Sequence, residues 1–282
     1  MKGLSCNSGL LHTYSVEESI DILADQGYQA IDISLELAPP FIPPPKPHMD
    51  SSADAGRRRA VRDYAQSAGI AIGALNAHTN VIHGDPEVRR QNTEFVRGGL
   101  QLASDMEVPY VISGCGVKLF YGWESTYWEW CIEAMRELTA DAERLGVMIL
   151  IEAASPYGSL VHNLARLQRL LDTDGLGGLG VLFDPAHYHV RGDSVLDAYL
   201  ALGDRVKHMH AKDARGNSEN FGFPPLGEGE IDFACLITTM VNGGFSGYIS
   251  VEYEAMAWGY PDDPVQVLAD GKAFVDGILE RS

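Results

Sequence analysis

Cysteine is scarce in this 282-residue chain and scattered. Cys6, Cys115, Cys131 and Cys235 lack the close spacing of a zinc knuckle or ribbon, so reduced and mostly buried thiols are expected. Basic residues are also few: 21 Lys and Arg stand against 39 Asp and Glu, a formal charge of −18. A field of that sign disfavours nonspecific attachment to nucleic acid or to an anionic membrane. Long hydrophobic runs are missing as well. The opening MKGLSCNSGLLHTYSVEES has apolar pieces too short and interrupted for a secretion signal, and no later run would span a bilayer, so a cytoplasmic location is expected. Finally, CNSGLLHTYS after the first strand candidate lacks the glycine spacing of a phosphate-binding turn, which argues against a doubly wound nucleotide-binding sheet.

What is present is an alternation. Short apolar stretches, each followed by a segment of helical periodicity, recur as GLSC (3–6), AIDIS (30–34), IAIGALNAH (70–78), YVISG (110–114), VMILIEAAS (147–155), GVLFDPAH (180–187), RVKHMHAKD (205–213) and GYISVEYE (247–254). Ser15 with Glu18 three residues later forms a capping-box pattern, and Pro86 suits the first position of a helix. Eight such units in one chain favour an α/β fold, a single (β/α)8 TIM barrel spanning residues 1–282. The Pro-rich LAPPFIPPPKPHM cannot sustain a regular helix or a central strand, so 35–51 reads as an active-site loop before a helix at 52–68. The long connection at 211–230 reads as a second.

In such a barrel the site is built at the C-terminal ends of the strands. Glu152, Asp184, His210 and Glu252 fall at the ends of strands five to eight. Each would be costly to bury there without a charged partner or a cation. Three carboxylates and one imidazole suit one divalent cation; Mn²⁺ is favoured, with Mg²⁺, Co²⁺ or Zn²⁺ as alternatives. His187, on the loop leaving strand six, could orient substrate oxygens. Lys212 could neutralise an alkoxide or bind a carboxylate, and Asp213 could hold a ligand imidazole or pair with Lys212 to fix the loop. His208 shares the facing of His210 by strand periodicity and is expected one layer deeper, supporting the ligands. Glu254 has the same parity as Glu252 and is expected at the rim. His78 is a candidate for substrate contact, with Asn76, His12 and Glu36 as further polar groups around the mouth. Phe41, Trp123, Phe221 and Phe223 could stack on a sugar, form a lid or serve an oligomer contact.

The IE, FDPAH, HMHAKD and GYISVEYE elements, within an alternation running nearly the whole chain, resemble the sugar isomerase and epimerase superfamily with xylose-isomerase-like barrels. The resemblance implies one divalent ion on Glu152, Asp184, His210 and Glu252. It also implies that Glu152 and Glu252 are the proton-transfer pair, and that His187 touches substrate. Several ketose epimerases of the superfamily carry a glutamate six residues after the strand-five ligand and an arginine six after the histidine ligand. Gly158 and Gly216 stand there instead, leaving Arg215 as the nearby substrate-binding candidate. The expected function is a metal-dependent isomerase or epimerase of a free sugar or polyol ketone, working through a metal-stabilised enediolate. The alternatives are a metal-dependent dehydratase of an inosose or dehydroshikimate-like substrate and, remotely, a non-catalytic sugar-binding barrel. The partner is a small molecule, with neither nucleic acid nor membrane, and a homodimer or homotetramer fits the superfamily. An abasic-site endonuclease would need more metal ligands and a basic surface that this chain lacks.

Overall fold

The computed structural model describes residues 1–35, 47–118, 122–154, 158–254, 260 and 263–281. The alternation folds as the pattern predicts. Strands β1 (Gly3–Cys6), β2 (Ala30–Ser34), β3 (Ala71–Asn76), β4 (Tyr110–Ser113), β5 (Met148–Glu152), β6 (Gly180–Phe183) and β7 (Val206–Ala211) share one parallel sheet with β10 (Tyr248–Val251). Their order is β1-β10-β7-β6-β5-β4-β3-β2, and a parallel bridge from Asn7 to Asp32 links the two ends into a barrel. Two further strands, β8 (Arg215–Asn217) and β9 (Asn220–Gly222), make an antiparallel hairpin within the 211–230 connection.

The helices α1 (Val16–Asp25), α2 (Ala55–Ser67), α3 (Pro86–Asp105), α4 (Glu124–Leu145), α5 (Leu164–Leu171), α6 (Pro185–Arg191), α7 (Val195–Leu202), α8 (Phe233–Asn242) and α9 (Pro264–Leu279) surround that barrel. Their starts follow local chemistry. Ser15 and Glu18 exchange both capping-box hydrogen bonds at α1, and Asp85 caps α3 ahead of Pro86. Apolar helix faces and the outward strand residues, Ile31, Ile33, Val111, Ile149, Ile151, Met209 and Val251 among them, form the main core. No described helix is long and apolar enough to cross a membrane. Cys6, Cys115 and Cys131 are buried thiols, whereas Cys235 is exposed on α8.

The barrel interior is divided. On the β3–β6 side it is filled by Ala74, Ile112, Leu150 and Leu182, a cluster separate from the outer core. On the side of β7, β10, β1 and β2 the fully buried residues include Ser5, Asp32, His208 and Ser250. Two register shifts flank this polar arc. Between Ile31 and Asp32 the pairing with β3 jumps from Ile72 to Ala74, leaving Gly73 as the extra residue. Between Val181 and Leu182 the pairing with β7 jumps from Val206 to His208, leaving Lys207 extra. Such bulges re-aim the side chains beside them.

Candidate metal centre

Glu152 ends β5, Asp184 follows β6, His210 lies near the end of β7 and Glu252 follows β10. Period-two alternation turns all four inward at one level, while their neighbours Ile151, Phe183, Met209, Ala211 and Val251 face the helices. One ligand atom from each of the four lies within 4.8 Å of the others. His210 Nδ1 is 3.0 Å from Glu252 Oε2 and 3.4 Å from Glu152 Oε1. Asp184 serves two structures at once: Oδ1 accepts the backbone N–H of Ala186 at 2.8 Å, capping α6, and Oδ2 faces the cluster.

Three of the converging atoms, Glu152 Oε1, Asp184 Oδ2 and His210 Nδ1, are buried and meet only charged neighbours, in contacts without good hydrogen-bond geometry among the described residues. Such groups are costly unless another ligand completes them. Three oxygens and one nitrogen, aimed at a common space at barrel-strand ends, fit a divalent cation of the Mn²⁺, Mg²⁺ or Zn²⁺ kind. The donor set does not select one metal.

Lys212 enters the same space. Its Nζ donates to Glu252 Oε2 at 3.0 Å, pairs with Asp184 Oδ2 at 3.0 Å and lies 3.6 Å from Glu254 Oε2. Burial and this charge set act on every group. Burial pushes the Asp184 carboxyl up to about 7, aided by the two glutamates and only partly opposed by Lys212. Burial would also raise Glu152, but the His210 hydrogen bond and the nearby imidazoles hold it down at about 2. Glu252 is likewise held well below the carboxylate range, against burial, by His210 and Lys212. His210 and Lys212 are raised well above their ordinary values, because the carboxylates outweigh burial.

Other expected residues fall differently. His78 reaches the centre, with Nε2 3.5 Å from Glu152 Oε2 and about a quarter of its side chain exposed. His187 is not on a loop: Asp184 nucleates α6 directly, placing His187 one helical turn on, buried, with Nε2 3.3 Å from Asp184 Oδ2 and its ring edge-on to Phe223. Among the described residues Asp213 holds no imidazole and no lysine. Its carboxylate accepts the backbone N–H groups of Ala214, Gly227, Gly229 and Ile231, so it organises the connection after β7. Arg215 is exposed on β8 and donates to the Glu228 carbonyl oxygen at 2.8 Å, away from the cluster. Glu254 is nearly half exposed at the rim. His208 lies deeper, bonded through Nε2 to Asp32 Oδ2 at 2.7 Å.

Of the aromatics, Phe223 lines the centre, with Lys212 Nζ 5.0 Å from its ring centroid, and Phe221 packs on Phe223. Trp123 is instead an exposed residue on a separate cleft of about 620 Å³ shared with His83, Tyr127 and Trp130. Glu36 and Phe41 lie outside the described residues. Two contributors were missed from sequence. Asn7, just past β1, donates from Nδ2 to Glu252 Oε1 at 2.8 Å. Asp32 is the ionisable residue in the middle of an otherwise uncharged strand, AIDIS. Asn7 could have been found by treating the end of strand one like the ends of strands five to eight.

A parallel eight-stranded barrel with a cation-ready cluster at the C-terminal ends of its strands defines the class of this molecule. The xylose isomerase-like TIM barrel family model matches residues 19–276, and the chain belongs to that family, related to sugar epimerases, isomerases and dehydratases. It is 24% identical over 252 residues to fructoselysine 3-epimerase of Escherichia coli O157:H7, covering 87% of this chain and 88% of that one. It is 25% identical over 236 residues to inosose dehydratase of Salmonella agona, covering 78% and 73%. The fold also superposes on a 3-keto-D-glucoside 4-epimerase from E. coli with a TM-score of 0.78 at 15% identity, over 98% of this chain and 99% of that one.

Proposed function

We propose that this protein is a divalent-cation-dependent isomerase or epimerase of a free sugar or related polyol ketone. The observation that carries this reading is the pair of buried glutamates, Glu152 and Glu252, held on either side of His210 Nδ1 at 3.4 and 3.0 Å. Glu152, Asp184, His210 and Glu252 would hold the ion, with Mn²⁺ favoured. When bound, it supplies Lewis-acid stabilisation of the negative charge that grows on a substrate carbonyl oxygen as the neighbouring C–H is lost.

The protein's own groups divide the remaining work. Glu152 carries the less tightly held carboxylate: Oε1 lies 3.4 Å from His210 Nδ1 and Oε2 lies 3.5 Å from His78 Nε2, both longer than the contacts on Glu252. It is suited to accept the carbon-bound proton. Glu252 is fixed from both sides, by Asn7 on Oε1 and Lys212 on Oε2, and is suited to return a proton from a set position. His187, which burial pushes down to about 4, stays neutral near pH 7 and can hydrogen-bond a substrate hydroxyl without adding charge. Lys212 places a permanent positive charge beside the developing oxyanion. Phe223 and the Asp213-tied connection wall off this side of the pocket from water.

The test is incubation of Mn²⁺-loaded protein in D₂O with a pool of ketoses, inososes and dehydroshikimate, followed by chromatographic mass spectrometry. Metal-stripped protein and Glu152→Gln serve as controls. A new isomer carrying deuterium at an α-carbon and absent from both controls supports the proposal. A product lighter by one water moves the protein to the dehydratase reading, for which the resemblance to inosose dehydratase is the supporting observation. Tight polyol binding with no product at any retention time would overturn both.

A further inference from the structure

Beneath the carboxylate cluster, the barrel interior holds a hydrogen-bonded Asp–His pair sealed from solvent. Asp32 and His208 are both 0% exposed. Their 2.7 Å bond crosses the interior, because β1 and β10 lie between β2 and β7 in the sheet. Asp32 Oδ1 accepts a hydrogen bond from Ser5 Oγ at 3.0 Å, so both of its oxygens are engaged. Burial alone would raise this carboxyl; the His208 charge and hydrogen bond, with His210 beyond, hold it below its ordinary value.

Several features are specific to this pair. Each partner sits beside a bulge, Asp32 at the pairing that skips Gly73 and His208 immediately after Lys207. A Cβ on Gly73 would come within 2.6 Å of Asp32 Oδ1, so the carboxylate occupies space opened by that glycine. The opposite arc is filled by Ala74, Ile112, Leu150 and Leu182, so this barrel can fill its interior with apolar groups. A buried polar pair is weak ground for stability, since apolar residues of similar volume do as well or better. Its place then becomes the informative fact. The His208 ring meets the His210 ring edge-on, at 6.2 Å and 81°, and atoms of Asp32, His208 and His210 lie within 4.8 Å of one another.

We propose that Asp32 is a positioning residue: through His208 it fixes the His210 imidazole with Nδ1 toward Glu152 and Glu252, and so helps to set the affinity of the cation centre. The trio also has the spacing of a cation seat, but Asp32 Oδ2 and His208 Nε2 already bond one another directly, which favours the positioning role. This inference rests on the reading of Glu152, Asp184, His210 and Glu252 as cation ligands.

The test measures Mn²⁺ stoichiometry by elemental analysis and Mn²⁺ affinity by chelator competition, on the full chain. The variants are Asp32→Asn, Gly73→Ala, the double variant and Leu150→Ala. Asp32→Asn is expected to weaken binding roughly 10–100-fold, the range for lost outer hydrogen-bond partners. Gly73→Ala should weaken it in the same direction by displacing the carboxylate, and the double variant should be no weaker than Asp32→Asn alone. Leu150→Ala should lower the melting temperature yet leave affinity within about twofold, which separates positioning from general loosening of the barrel. Wild-type affinity in folded Asp32→Asn overturns the inference, as does equal weakening by Leu150→Ala. Two ions per chain, one of them lost in Asp32→Asn, overturns it in favour of an inner metal site. If Asp32→Asn does not fold, Ser5→Ala replaces it, with several-fold weakening expected and unchanged affinity overturning. Wild-type protein that binds no Mn²⁺ would sink the underlying ligand assignment instead.

Discussion

The charges in the centre balance in a way that fixes the pH dependence of cation binding. Without an ion, Glu152 and Glu252 are anionic, while His210 and Lys212 are cationic. Asp184 is protonated below about pH 7. The cluster is then neutral. A dication that displaces the His210 and Asp184 protons leaves three carboxylates, one ammonium and two positive charges on the ion, again neutral. Both protons therefore compete with the ion, and affinity rises with pH. Below about pH 7 two protons should leave per ion bound; above it Asp184 is already ionised and only the raised His210 proton should leave. Calorimetry in buffers of different ionisation enthalpy counts them, and a proton count that does not fall across pH 7 would refute the scheme. The same accounting gives a sign for Lys212→Met. Removing a positive charge that contacts two of the ligands should tighten Mn²⁺ binding by roughly tenfold or more, charges about 4 Å apart interacting by several kcal/mol at an effective dielectric near 20. Turnover should fall in the same variant, and weaker Mn²⁺ binding would contradict this role.

At the level of elements, the connection after β7 is held by one side chain. Asp213 accepts four backbone N–H groups across residues 214–231, and a Cβ on Gly229 would lie 2.0 Å from its Oδ1. Asp213→Ala should release that connection, raising amide exchange at Gly227, Gly229 and Ile231 while cation affinity stays near wild type. Unchanged exchange would show that the loop is held elsewhere. Gly216 explains the missing arginine: it has φ +82° in the hairpin, where a Cβ would lie 2.1 Å from the Asn220 carbonyl oxygen. Gly216→Arg should therefore lower the melting temperature and disrupt β8–β9, not restore a substrate contact. Sequence made the strands, most helices and the four cluster residues legible, because period-two alternation and strand-end position carry that information locally. It did not reveal that FDPAH turns straight into α6, since Asp184 reads equally as ligand or cap and is placed to act as both. Nor could it reveal the Asp32–His208 bond, which depends on two bulges that shift register by one residue and on strands 176 positions apart in sequence.

For the whole molecule, the barrel concentrates its unfavourable electrostatics at one end. A chain of formal charge −18 brings three of its carboxylates together at the strand ends and compensates them with two cationic groups. Stability should accordingly depend on the ion, and on pH through it. At 100 times Kd a ligand confined to the folded state adds about 2.7 kcal/mol. For a barrel of this size that corresponds to roughly 5–10 °C in melting temperature. The increment should be larger at pH 8 than at pH 5.5, because the Asp184 and His210 protons displace the ion as pH falls. The ion-free protein has the opposite slope in one contribution. The raised Asp184 carboxyl favours the folded state fully below about pH 4, and that contribution is lost as pH rises through about 7. The melting curves with Mn²⁺ and with chelator should therefore diverge with increasing pH. Asp184→Asn should bring them together at every pH by removing both a ligand and the competing proton. Parallel curves for wild type across pH 5.5–8 would mean that the ion does not bind through Asp184.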